Sequence, residues 1–73
     1  MSNTNYNRIK AALADRKKTG KELASHLGMS EQMVSKWVTN TSQPSLENLY
    51  SIAEYLKVSV CLLLATPDRY KED

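Results

Sequence analysis

Between Thr19 and Val38 the chain reads TGKELASHLGMSEQMVSKWV, two short helical patterns meeting at Gly28, one of only two glycines in the protein. The second pattern sets Glu31, Gln32, Ser35 and Lys36 on one side of a helix and Val34, Trp37 and Val38 on the other, with Met33 at the border. The polar side offers hydrogen-bond donors, acceptors and one charge of each sign. Ser, His and acidic residues occur along the chain, but none has the spacing of a catalytic motif. The chemistry on offer is therefore recognition, and no enzyme is expected. A merely solvated helix face would show the same pattern, so the pattern alone leaves both readings open.

Charge favours a partner on one side. The net charge is +2, but residues 1–45 carry seven basic and three acidic groups (+4), and residues 46–73 carry three basic and five acidic groups (−2). The basic half contains the stretch above, which suits a polyanion. The single thiol, Cys61, makes no internal disulfide, and one His and one Cys far apart close no zinc site. No cofactor or metal is expected. The opening MSNTNYNRIK lacks the apolar core of a signal peptide, and the apolar run from Val60 to Ala65 falls far short of the roughly 20 residues that span a bilayer. The expectation is a soluble, cytoplasmic protein.

Seventy-three residues make one small domain, which buries only about 60% of its unfolded surface. Five short helices are expected. The first runs from about Asn5 to Lys17, with Thr4 as a possible N-cap and Tyr6, Ile9, Ala12 and Leu13 as its apolar stripe. The second runs from about Gly20 to Leu27, capped by Thr19 with Glu22 three residues on, as a capping box requires. Gly28 fits the left-handed position after it. Ser30 caps the third helix, Glu31 to Val38. Asn40 tolerates a positive φ in the loop TNTSQP. Ser45 caps the fourth, Leu46 to Leu56, whose stripe is Leu49, Ile52, Ala53 and Leu56 with Leu46 at its start. Ser59 begins the fifth, Val60 to Leu64, with Val60 and Leu63 as its core pair. Residues 1–4 and 66–73 read as polar ends around a domain at 5–65. Two helices separated by about three residues across a Gly-containing turn make a helix-turn-helix at about 19–38.

Thr19 to Leu64 resembles the Cro and lambda-repressor-like helix-turn-helix domains, often called the XRE family. The resemblance rests on ELASHLG, MSEQMVSKW, QPSLENLYSIAEYL and VSVCLLL, in that order, and with the first helix it covers about residues 5–65. It implies an all-α, compact five-helix bundle. It further implies a sequence-specific regulator of transcription, more often repressor than activator, bound to double-stranded DNA in the nucleoid. The third helix would enter the major groove, with Glu31, Gln32 and Lys36 reading bases and Met33 and Ser35 in secondary roles. The side-chain chemistry agrees: Gln pairs with adenine, Lys donates to guanine and Glu accepts from cytosine. Phosphate contacts are implied for Thr19, Lys21, Asn40, Thr41 and Ser45, with Lys18 and Lys17 flanking them.

Two departures weaken the electrostatic side of that picture. The family often has Gln where this chain has Gly20, and its 39–43 loop is often rich in Lys or Arg where this one reads TNTSQ. Modest binding by a monomer follows. A third departure lies in VSVCLLLA, where Cys61 and Leu62 replace acidic, exposed residues. Cys61, Leu62 and Leu64 cannot all point inward, and the exposed remainder is read as a homodimer surface matching a palindromic operator. Packing against the first helix or the tail is the other way to cover them. Two further functions stay open: an antitoxin-like regulator that also binds a partner protein, and a helix-turn-helix used only for protein interaction. Trp37 is expected in the core and His26 on an exposed helix face.

Overall fold

The computed structural model describes residues 5–65. The elements, in chain order, are α1 (Ile9–Asp15), α2 (Gly20–Leu27), α3 (Glu31–Val38), α4 (Leu46–Leu56) and a single 3₁₀ turn, Val60–Leu63. The expected fifth helix is thus a 3₁₀ turn, and the bundle has four α-helices among the described residues. Ser59 caps that turn through Cys61 N–H, but four residues are too few to form α-helical i→i−4 bonds in series.

Local capping accounts for the bounds of α2, α3 and α4, which fall where the sequence puts them. Thr19 and Glu22 form the reciprocal capping box at α2. Ser30 accepts Met33 N–H at α3, and Ser45 accepts Asn48 N–H at α4. Each such cap is worth about 1 kcal/mol. Gly28 ends α2 at φ 69°. Lys17 and Lys57 take the same left-handed conformation after α1 and α4, at φ 58° and 59°. The Arg16 guanidinium donates to Lys57 O at 3.2 Å, so these two helix ends are tied together.

The first helix is shorter than its pattern suggests. The expectation was Asn5 to Lys17 with Tyr6 on the apolar stripe; α1 begins only at Ile9, and Tyr6 is 61% exposed. The reason is competition for the backbone. Asn7 and Leu64 pair as an antiparallel bridge, Arg8 N–H donates to Leu63 O at 2.8 Å, and Ala65 N–H donates to Tyr6 O at 2.9 Å. Residues 6–8 stay out of the helix because residues 63–65 use their hydrogen-bonding groups. Thr4 and the polar ends at 1–4 and 66–73 lie outside the described residues.

The core is one cluster. Ile9, Leu23, Val34, Ile52 and Leu63 are fully buried, and Trp37 is 2% exposed. Each such side chain contributes roughly 1.5–3 kcal/mol by leaving water. Leu46, expected at the start of the α4 stripe, is 69% exposed instead. It occupies the first position of α4. Val60 is half-buried against the core that Leu63 enters completely.

The two glycines should respond oppositely to substitution. Gly28→Ala forces a Cβ into the left-handed region and should lower stability by roughly 1–2 kcal/mol. A Cβ on Gly20 would meet Val34 Cγ1 at 3.7 Å, an ordinary contact. Gly20→Ala should leave stability unchanged or raise it by about 0.5 kcal/mol. Urea midpoints of the two variants check both signs.

Candidate nucleic-acid interface

The polar face of α3 is set by anchoring the helix from one side. Val34 and Trp37 hold it against the core, and α2 packs along it. That leaves Glu31, Gln32, Ser35 and Lys36 exposed together on the opposite side, with Met33 42% exposed beside them. Ser30 spends its hydroxyl oxygen on Met33 N–H at 3.1 Å, which fixes where the first turn of α3 begins.

The α2 start lies beside this face. Its capping box consumes donors: Thr19 N–H donates to Glu22 Oε1 at 2.8 Å, and Thr19 Oγ1 contacts the same oxygen at 3.3 Å. Both Thr19 donors therefore already face a carboxylate. Lys21 is exposed on the first turn. Lys18 sits with its Nζ 5.5 Å from the Tyr55 ring centroid, a cation–π distance. His26 stacks on the same tyrosine, centroids 4.2 Å apart, while staying exposed on its helix.

The loop after α3 is a hydrogen-bonded knot. Thr41 N–H donates to Lys36 O at 2.8 Å and closes the end of α3. The Thr41 hydroxyl is 2.9 Å from that of Thr39, which also donates to Ser35 O. Asn40 takes φ 62°, and its Oδ1 accepts from Tyr6 N–H, Asn7 N–H and Gln43 Nε2 at 2.9, 3.0 and 3.2 Å. Its Nδ2 donates back to Asn7 O at 3.2 Å. Most of the Asn40 amide is thereby committed to the chain itself. Ser45 is exposed, and its oxygen accepts Asn48 N–H at 3.1 Å while its own O–H stays available to donate.

Asn7 is the buried partner of this knot and the one buried polar residue among those described. Its Nδ2 donates to Trp37 O at 2.9 Å and to Gln43 Oε1 at 2.7 Å, and its Oδ1 accepts Ile9 N–H at 3.0 Å. It thus starts α1 and holds the end of α3 at once. The sequence reading placed Asn7 inside a helix and gave it no role. An Asn two residues before the first core residue is a helix-start signal that could have marked it.

Between α1, α2 and α3 lies an open cleft of about 370 Å³. Lys10, Lys18 and Lys21 line it with Glu31 and Ser35 of α3, around Gly20. Lys10 carried no role in the sequence reading, because nothing local ties an α1 lysine to α2. At the 3₁₀ turn Cys61 is exposed, and Leu62 and Leu64 are 57% and 48% exposed.

A helix-turn-helix family model matches residues 9–63, which take in all four helices and the 3₁₀ turn. A crystal structure of a protein from Bacteroides fragilis, provisionally described as DNA-binding, is similar with a TM-score of 0.81 and 43% identity. The match covers 82% of this chain and 97% of that one. Comparison with the curated proteins finds no match. No helix among the described residues is long and apolar enough to cross a membrane.

Removing the Asn7 amide leaves the buried Ile9 N–H and the Gln43 Oε1 without their partner, and takes one of two donors from the Trp37 carbonyl, which keeps Asn40 N–H. Asn7→Ala should lose roughly 2–3 kcal/mol of stability, the range for buried hydrogen bonds left unmade. The check is the urea midpoint at unchanged m-value.

Proposed function

Because the chain belongs to the XRE-type, Cro and lambda-repressor-like helix-turn-helix family, we propose that it is a sequence-specific regulator of transcription that reads double-stranded DNA with α3 and represses by occluding a promoter. The observation that carries this reading is the face of α3. Four polar side chains stand exposed together on a helix whose other side is locked by Val34 and Trp37. The major groove is wide enough for one α-helix. Gln32 suits adenine, Lys36 suits guanine, and Glu31 suits cytosine while rejecting sites that bring phosphate too near. Met33 and Ser35 border these contacts.

Phosphate positioning falls to Lys21, the Ser45 hydroxyl and the first amides of α2, with Lys18 beside them over the Tyr55 ring. Asn40 serves less as a ligand than as the clamp that sets the loop, since its side chain is engaged by Tyr6, Asn7 and Gln43. Cytoplasmic, nucleoid-associated action follows from this role.

The exposed Cys61, Leu62 and Leu64 favour a protein contact at the 3₁₀ end. A homodimer there would match a palindromic operator. An antitoxin-like heteromeric contact is the second reading that the same surface supports.

Selection of bound sites from a random duplex pool tests the main reading. A pseudo-palindromic motif is expected, with half-sites about one helical turn apart. Gln32→Ala and Lys36→Ala should each relax it at defined positions, at a cost of about 1–3 kcal/mol per bidentate pair. A folded protein that enriches nothing at low salt would sink it and favour a pure interaction module. In sedimentation, Leu62→Ser should shift any dimer towards monomer without changing the circular dichroism.

A further inference from the structure

We propose that the cleft between α1, α2 and α3 seats a DNA backbone phosphate, held across it by Lys10 of α1 and Lys21 of α2. The inference rests on the DNA-binding reading and adds to it a residue and a place. Three observations carry it.

The first is charge. Three lysines and one glutamate line a cleft of about 370 Å³, an excess of two positive charges within a few side-chain lengths. The second is position. Glu31 and Ser35 belong to the polar face of α3 and also line this cleft. A duplex whose bases meet that face must carry its backbone past the cleft mouth. The third is elimination among the neighbours. Thr19 has both its donors on Glu22, Gly20 has no side chain, and the Lys18 ammonium lies over Tyr55. Lys10 and Lys21 are both exposed, and the first amides of α2 have no helical acceptor. Gly20 lines the cleft and places no side chain in it. The absent donor at position 20 is thus replaced from across the cleft by a lysine on another helix. The Glu31 carboxylate, on the α3 side of the cleft, repels an anion there and biases the phosphate towards the two lysines.

The test is the salt dependence of binding to a short duplex, measured by fluorescence anisotropy for wild type, Lys10→Ala and Lys10→Arg. Lys10 is exposed, and circular dichroism verifies that each variant is folded. Lys10→Ala should weaken binding about threefold to tenfold and lower the slope of log K against log salt by about 0.9, the loss of one phosphate contact. Lys10→Arg should keep the slope. A duplex with one phosphate replaced by an uncharged methylphosphonate, moved along the backbone, should reveal a position that weakens wild type but not Lys10→Ala. If wild type binds and Lys10→Ala keeps its full slope, the cleft assignment is overturned and the α3 reading stands. If folded wild type shows no salt-dependent duplex binding at all, both are overturned.

Discussion

The placement of α3 depends on a pair of amides. Asn7 is buried and touches the start of α1, the last turn of α3 and Gln43, while Asn40 grips the backbone on either side of it. A helix of eight residues has little stability alone. Its core side is fixed by Val34 and Trp37, and its last carbonyls are closed by the amides of Thr39, Asn40 and Thr41. Asn7 gives the Trp37 carbonyl a second donor beside Asn40 N–H, and so ties that end to the start of α1. The same residue lies in the bridge to Leu64. The reading helix, the first helix and the end of the domain therefore share one buried residue, and its hydrogen bonds are all made, with no buried side-chain polar atom left unpartnered among the described residues.

Capping and phosphate binding compete for the same atoms. A Thr at a helix start can offer its N–H and hydroxyl to an anion, or it can close a capping box, and here the Glu22 carboxylate has taken both. The local gain is a well-defined α2. The cost is one fewer donor for DNA, beside a glycine with no side chain and a loop, TNTSQ, with no charge. Positive charge near the reading face is left to lysines on long, flexible stems, which bind phosphate as point charges without bidentate geometry. Binding built this way would be sensitive to salt, and on the proposed reading discrimination would fall to the few side chains on α3.

How much of this the sequence disclosed follows the range of the interactions. Helices α2, α3 and α4 are bounded by contacts within four residues, Thr19 with Glu22, Ser30 with Met33 and Ser45 with Asn48, and all are legible as spacing. Gly28 and Asn40 declare their left-handed φ by residue type. The start of α1 is not local. Tyr6 fits the helical period, but a bridge to a residue 57 positions from Asn7 holds the segment out of the helix. The Asn7–Gln43 bond spans 36 positions, and the Lys10 cleft joins three helices. Periodicity carries no information about either. The weak points of the reading are the places where distant segments bid for the same backbone groups.

That same connection bears on how the two ends of the domain communicate. Leu64 is exposed on one side and bridged to Asn7 on the other. A partner seated on Leu62 and Leu64 would order the strand that Asn40 and Asn7 hold against the end of α3. The path from that surface to the reading helix is two residues long, Leu64 to Asn7 and Asn7 to the Trp37 carbonyl. It consists of backbone pairing and one buried amide, both directional and short. A contact on Leu62 and Leu64 would therefore lie two residues from the end of α3. Leu46 and Tyr50 project from α4, which meets the 3₁₀ turn through packing and not through hydrogen bonds.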